Sequence, residues 1–332
     1  MSGHDGSGPR SFWYSRRVLV TGATGLVGSW LVKALLETGA YVVVLIRDAD
    51  PQSELMRSGD IRRVSVVVGA LEDFFAVERA INLHDADTVF HLGAQTLVRV
   101  AQRSPLQTFE ANIRGTYNLL EACRLHSGLV RRIVVASSDK AYGEKPDLPY
   151  TEDMPLEGKQ PYEVSKTCAD LLARTYYHSY GLPVTVTRFG NVYGGGDLNW
   201  SRIVPGSVRS FLLRERPVIR SDGTFIRDYI YVRDVVAGYL RLAERMEDES
   251  IHGAAFNFST ESPLRVLDVV ARIQRLMGCE DIEPDVRNDA RGEIRDQHLS
   301  ARKARTLLGW QPGFDLEAGL RETIEWYRAF LG

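Results

Sequence analysis

Hydrophobic positions along this chain fall into short unbroken runs separated by stretches of helical spacing. Arg17 begins a run through Val20 that stops at Thr21-Gly22. Leu26, Val27, Trp30, Leu31, Ala34 and Leu35 then recur at helical intervals, and Gly39 marks the helix stop. Strands are predicted at Tyr41 to Ile46, Val64 to Val68, Asp87 to Leu92, Arg132 to Ala136 and Val184 to Arg188. Helices are predicted between them over about 73–83, 104–126 and 161–180. The strands are continuous apolar runs without alternation, so both faces should be covered. Strand and helix alternate, which predicts an α/β fold on a parallel, doubly wound sheet.

Beyond Arg188 the regular alternation ends. Gly194-Gly195-Gly196 opens an irregular stretch, and Tyr229 to Val232 reads as a short strand. Helices are expected over 203–216, 233–246, 263–277, 300–308 and 315–330. A smaller second lobe over the carboxyl edge of the sheet follows from this. The expected division is a flexible leader at 1–15, a sheet domain at 16–190 plus about 229–258, and the lobe at 191–228 plus 259–332.

Composition narrows the function classes. The 332 residues are enough for one large core with an added lobe. A net charge of −2 supplies no basic field, so neither nucleic acid nor a membrane is expected as partner. The longest apolar run, Tyr41 to Ile46, is too short to span a bilayer. The Gly- and Ser-rich start lacks the apolar segment of a signal peptide. Cys123, Cys168 and Cys279 are scattered, which fits a reducing compartment and makes neither a disulfide framework nor a metal site. The expected location is the cytoplasm.

Thr21-Gly22-Ala23-Thr24-Gly25-Leu26-Val27-Gly28 joins the first strand to the first helix. Glycines there allow a tight turn and bring backbone N–H groups close to a pyrophosphate at a helix N-terminus. A plain strand-to-helix turn is the simpler role, and the position within a full βα unit weighs against it. Gly22, Thr24, Gly25, Leu26, Val27 and Gly28 are therefore candidate cofactor contacts. The end of the second strand selects the cofactor, since an acid there binds a ribose 2′-hydroxyl and an arginine suits a 2′-phosphate. Ile46 occupies the usual acidic position and Arg47 follows it, which favours NADP, with NAD open through Asp48. The alternative is that Arg47 is a solvated loop charge.

Tyr162 and Lys166 are spaced by four at the start of a helix, on one face. An ammonium beside a phenol favours the phenolate and is expected to lower Tyr162 toward working pH. Such a tyrosine takes a hydroxyl proton while hydride leaves the carbon. The pair arises by chance on many helices, where the tyrosine is partly buried and the lysine solvated; the glycine loop upstream gives it weight.

Together these motifs resemble the extended short-chain dehydrogenases of the nucleotide-sugar epimerase and dehydratase group. The likeness covers about residues 17–330. It includes His91-Leu92-Gly93-Ala94-Gln95, Asn112, Ser137-Ser138-Asp139-Lys140, Arg188-Phe189-Gly190-Asn191-Val192-Tyr193-Gly194, Ile226-Arg227-Asp228-Tyr229 and Leu308-Gly309-Trp310-Gln311-Pro312. The resemblance implies a Rossmann domain with a C-terminal substrate lobe, and NAD(P) as cofactor, with Leu71, Leu92, Ala94, Tyr162 and Lys166 among its contacts. It implies a nucleotide-diphosphate sugar as substrate, contacted by Gln95, Asn191, Arg227 and Arg295, with Arg291 a further candidate. A homodimer through the helices near 104–126 and 161–180 is implied as well. One departure stands out. Members of the group often carry an aspartate facing adenine after the third strand, where Gly69-Ala70-Leu71-Glu72-Asp73 here has Ala70. Adenine is then left to the backbone or to Asp73.

The segment after the fifth strand separates reactions within the group. Simple 4-epimerases need a Ser or Thr and the tyrosine, whereas 4,6-dehydratases place an acid and a base directly after the Ser or Thr. Asp139-Lys140 resembles the CDP-glucose 4,6-dehydratases and the inverting dehydratases of UDP-N-acetylglucosamine. The implied reaction has Tyr162 take the 4-hydroxyl proton while Ser138 holds that oxygen. The ketone formed at carbon 4 makes the carbon 5 hydrogen acidic. Lys140, as the amine, removes it, and Asp139, as the acid, donates to the departing 6-hydroxyl. The expected product of this lyase is a 4-keto-6-deoxy sugar nucleotide, the chemistry of deoxysugar formation. The alternatives are a 4-epimerase and a catalytically silent dinucleotide sensor, and the sensor has no need of a Tyr–Lys pair. A solvated ion pair is the plainer role for Asp139 and Lys140.

Overall fold

The computed structural model describes residues 11–289 and 293–332. Its main sheet has seven strands: β1 (Arg17–Thr21), β2 (Tyr41–Ile46), β3 (Ser65–Val68), β4 (Thr88–His91), β5 (Arg132–Ala136), β6 (Val184–Phe189) and β7 (Ala255–Phe258). They lie in the order β3-β2-β1-β4-β5-β6-β7 and every pairing is parallel. The order reverses between β1 and β4, and ligands bind at such a switch point, beyond the carboxyl ends of the strands.

The helices used below are α1 (Leu26–Glu37), α2 (Phe74–Asn82), α3 (Pro105–Phe109, Glu110–Arg114 and Gly115–Leu125 in succession), α4 (Pro161–Tyr180), α5 (Ile203–Leu212), α6 (Val232–Arg245), α7 (Val266–Met277) and α8 (Leu316–Leu331). Successive side chains of a strand enter opposite cores. Val18, Val20, Val42 and Val44 pack with Leu31 and Leu35 of α1 and Val235 and Leu242 of α6. Leu19, Val43 and Leu45 pack with Val77 and Ala80 of α2 and Leu119 and Cys123 of α3. Burying one such side chain stabilises by roughly 1.5–3 kcal/mol, so the unbroken apolar runs require helices on both sides. The lobe has its own core, in which Val208 and Phe211 of α5, Ile273 of α7, and Leu320 and Ile324 of α8 meet. No helix among the described residues is long and apolar enough to cross a membrane.

Several elements depart from the sequence-based expectation. The helix predicted over 104–126 contains a wider π turn at Glu110–Arg114. That turn holds the buried Asn112, whose Nδ2 donates to Gln95 O (3.0 Å) and whose Oδ1 accepts from Gln95 N (2.6 Å). Such turns recur at functional sites. The helix expected over 263–277 starts only at Val266, because Leu264–Arg265 pairs with Ile226–Arg227. A short helix, Val98–Arg103, was not foreseen.

The leader expected at 1–15 enters the fold within residues 11–15. Trp13 is 1% exposed, packs in the α1–α6 core, and donates from Nε1 to Glu244 Oε1 at 2.8 Å. The expected division of the chain also shifts. Ala301, Ala304, Leu308 and Trp310, assigned to the lobe, pack in that same core against the sheet.

Candidate active site

The glycine loop lies at the switch point. Gly22 has φ +73°, and a Cβ there would lie 2.7 Å from Gly93 N, so the β1 loop passes directly against the β4 loop. A Cβ on Gly28 would collide with the Gly22 carbonyl, whereas one on Gly25 would lie 3.3 Å from that oxygen. Gly25 caps α1 with no side-chain bond to the first-turn N–H groups, and that turn has no acidic residue. Gly25 N donates to Gly22 O at 3.0 Å, which leaves the N–H groups of Leu26, Val27 and Gly28 and the positive end of the helix dipole for an anion, as a dinucleotide pyrophosphate requires. Leu92 N bonds to Thr21 O at 3.3 Å, and Thr21 Oγ1 accepts from Gly93 N at 3.0 Å. Buried His91 bridges Thr21 Oγ1 and Thr116 Oγ1 at 2.9 and 3.1 Å. Burial, reinforced by Lys166, lowers its pKa to about 3, so it stays neutral. Leu71 reaches the same crevice, packed closely against Gly93 and Gly115.

Two residues considered for the adenine side have partners of their own. Asp73 caps α2, accepting from Phe75 N (3.1 Å) and Ala76 N (3.3 Å), so its Oδ1 is engaged in its own helix. Arg47 follows β2 as expected, and its Nε is paired with Asp48 Oδ2 at 2.6 Å on the open surface.

The start of α4 is set by Pro161 in the first turn and a reciprocal capping box between Gln160 and Glu163. Tyr162 and Lys166, 8% and 5% exposed, face the end of β5. Lys166 Nζ donates to Ala136 O at 2.8 Å, and burial lowers its pKa to about 8. Asn112 Nδ2 donates to Ser165 Oγ (2.9 Å), which donates to Tyr162 O (2.7 Å), tying the π turn of α3 to the tyrosine's backbone. The expected lowering of Tyr162 by Lys166 is not found. Burial pushes the phenol up to about 12, and the groups that favour its phenolate are Ser138, by a hydrogen bond, and Arg202, by charge. Lys166 has its ammonium committed to the Ala136 carbonyl instead.

Ser138, Asp139 and Lys140 follow β5 in a tight 3₁₀ turn. Ser138 Oγ accepts from Lys140 N (3.2 Å) and donates to Asp139 Oδ1 (3.0 Å). Asp139 is 1% exposed, so these charges are not a solvated surface pair. Lys140 Nζ lies 3.7 Å from Asp139 Oδ1 and donates to Gln297 Oε1 at 3.2 Å. Behind the turn, Arg188 forms a fully buried bidentate pair with Asp170 (2.8 and 2.9 Å) and donates to Tyr142 OH at 2.6 Å. Tyr142 stacks on Tyr150 at 4.8 Å.

The expected substrate contacts are placed unevenly. Asn191 stands at the start of a short strand, its N–H bonded to Asp228 O at 2.8 Å. Arg227 spends its guanidinium on the carbonyls of Ile226, Ile294 and Arg295 (2.6–2.9 Å), so a bond to a diphosphate requires exchanging these. Arg295 is exposed and donates to Thr224 Oγ1 at 3.2 Å. Gln95 turns its side-chain oxygen to Leu97 N at 2.9 Å. Arg291 lies outside the described residues. Sequence reasoning missed Arg202, paired with Asp197 at 2.9 Å, and Gln297. Neither carries a local signal.

A doubly wound sheet with this glycine loop at its switch point and a Ser–Tyr–Lys set at its carboxyl edge defines an extended short-chain dehydrogenase. Comparison with known proteins agrees. The chain belongs to the GDP-mannose 4,6 dehydratase family, which matches residues 19–323. It is 31% identical to a CDP-glucose 4,6-dehydratase of Salmonella typhimurium, over 97% of this chain and 93% of the relative. Among solved structures, a UDP-glucose 4-epimerase of Thermotoga maritima with UDP-glucose superposes with a TM-score of 0.86 at 30% identity, covering 95% of this chain and 100% of the other. DesIV, a dTDP-glucose 4,6-dehydratase of Streptomyces venezuelae with NAD bound, gives 0.84 at 27% identity, covering 94% and 97%.

Proposed function

We propose that this chain is a nucleotide-diphosphate-hexose 4,6-dehydratase, a lyase that yields a 4-keto-6-deoxy sugar nucleotide. The observation that carries the reading is the buried Asp139 beside Lys140, immediately after Ser138. Family membership and the CDP-glucose and dTDP-glucose dehydratase relatives agree with it. The second reading, a nucleotide-sugar 4-epimerase, is favoured by the likeness to the UDP-glucose 4-epimerase and by the fact that Ser138 and Tyr162 alone would serve it.

The glycine cradle and the uncapped start of α1 fit NAD(P), which Gly22, Thr24, Gly25, Leu26, Val27 and Gly28 would hold, with Leu71, Leu92, Ala94 and Lys166 along the crevice. The chemistry such a cofactor would supply is the reversible acceptance of a hydride. Tyr162 removes the proton of the sugar 4-hydroxyl, and Ser138 holds that oxygen. Lys140, as the free amine, takes the carbon 5 proton made acidic by the carbon 4 ketone. Asp139, as the acid, protonates the departing 6-hydroxyl so that water leaves. Gln95, Asn191, Arg227 and Arg295 are assigned to the sugar nucleotide, CDP-glucose being the first to test.

NADP is the favoured form, because Ile46 stands where an acid would bind the 2′-hydroxyl and Arg47 follows it. Asp48 competes for that arginine, so the mass of the cofactor released by denaturation is the deciding measurement. Leu106, Tyr117, Leu171 and Tyr180, exposed on α3 and α4, support a homodimer through these helices. Three unpaired cysteines fit a cytoplasmic location.

Incubation with CDP-, UDP-, GDP- and dTDP-hexoses tests the reading. Loss of one water from a sugar nucleotide marks the dehydratase. A new sugar of unchanged mass marks the epimerase. No binding or turnover of any of them sinks both.

A further inference from the structure

Lys140 is joined from across the molecule by a residue that no motif contains. Gln297 belongs to the two-residue strand Asp296–Gln297, which pairs with Ile226–Arg227 so that Gln297 stands opposite Arg227. It is 1% exposed. Its Oε1 accepts from Lys140 Nζ at 3.2 Å, while Nε2 of the same carboxamide has no partner. A half-paired carboxamide is a poor choice for packing, because a buried donor left unmade is costly where an apolar side chain of similar size would have none.

We propose that Gln297 is the positioning residue for the base Lys140, a neutral acceptor that takes one of its N–H groups and so aims the amine lone pair at the sugar. This rests on the assignment of Lys140 as the carbon 5 base. A neutral amine has two N–H groups and one lone pair, so anchoring an N–H restricts where the lone pair points. The neutrality of the acceptor matters as much as its position. A carboxylate in its place would hold Lys140 as the ammonium, which has no lone pair.

Other charges bear on the same balance. Asp139 shares its field with Tyr150, Tyr162 and Asp228, and burial raises the pKa of Asp228 to about 6. On the strand side, Arg227 stands opposite Gln297, and Asp296 and His298 flank it. Substitution at 297 leaves all of these in place.

The test compares pH profiles of kcat and kcat/KM for the wild type, Q297E, Q297M and K140M, with CDP-glucose or whichever hexose of the panel turns over. Activity that depends on the free amine rises with pH. In Q297E the rising limb should move about 1–3 pH units higher, with reduced nicotinamide still formed on the enzyme. In Q297M the ammonium loses an acceptor, so the limb should move lower, while the plateau falls about 10-fold or more from lost orientation. A packing role would move the limb in neither variant. If Q297E fails to fold, Q297M alone decides by the direction of its shift. Superimposable limbs in the folded variants overturn the proposal when K140M is inactive. If K140M retains wild-type turnover, the assignment of Lys140 as base fails instead.

Discussion

Ser138 Oγ donates to Asp139 Oδ1 at 3.0 Å, and the same hydroxyl is the hydrogen-bond partner of Tyr162. One serine thus joins the residue assigned to oxidation at carbon 4 with the residue assigned to elimination at carbon 6. A hydroxyl has a single proton to give, so Asp139 and the Tyr162 phenolate compete for it.

A substitution at Asp139 separates these two halves of the reaction. Asp139→Asn keeps the side-chain shape and removes the acid. Product formation should fall by about 10²–10⁴-fold while oxidation persists. Reduced nicotinamide should then accumulate on the enzyme, read by its absorbance. Unchanged turnover would make Asp139 a structural carboxylate only.

Lys166 carries a pH signature in stability. Burial lowers its pKa from 10.5 to about 8, so the unfolded chain holds this proton over a window in which the folded one has lost it. The unfolded state binds more protons there, and stability therefore rises with pH through the window, by up to about 3 kcal/mol. Below about pH 8 the burial penalty is present in full. Lys166→Met lacks the effect, so urea unfolding of the two proteins should diverge between about pH 8 and pH 10.5, the wild type gaining. A constant difference across that range would contradict the assigned burial of the ammonium.

The Asp170–Arg188 pair is fully buried and supports the turn that carries Asp139 and Lys140 through Tyr142. Asp170→Asn leaves the guanidinium without a counter-charge in the core. A loss of about 3–5 kcal/mol in denaturant unfolding is expected. A variant as stable as the wild type would show that the neighbouring Tyr142 suffices.

The glycine loop predicts a contrast between two alanines. At Gly28 a Cβ meets the Gly22 carbonyl, which must move and so distort the pyrophosphate cradle. Gly28→Ala should weaken cofactor binding by about 10-fold or more, equivalent to about 1.4 kcal/mol. Gly25→Ala, whose Cβ would lie 3.3 Å from the same oxygen, needs a shift of only a few tenths of an ångström and should lose less than Gly28→Ala. Fluorescence titration with NADH and NADPH reads both, and equal affinities would remove Gly28 from the cradle.

Much of the fold was legible in the sequence because its signals are local. Tyr41 to Ile46 is an unbroken apolar run and forms a strand whose residues 42–46 are buried between two helical layers. Residues 161–180 form a helix with the predicted bounds, since Pro161 opens it and Gly181, at φ +66°, closes it. The glycine loop and the Tyr162–Lys166 spacing are equally local, and so is the order Ser138-Asp139-Lys140. What only the tertiary structure decided are relations between distant residues. Gln297 meets Lys140 across 157 positions, the charge of Arg202 reaches Tyr162 from another segment, and Trp13 enters the sheet's core from a stretch that reads as a leader. The π turn at Asn112 also escapes periodicity, because its bonds go to Gln95 on another loop. Apolar spacing records which face of an element is buried, but a polar side chain's partner is set by where separate elements come to rest, and that follows from packing of the whole chain.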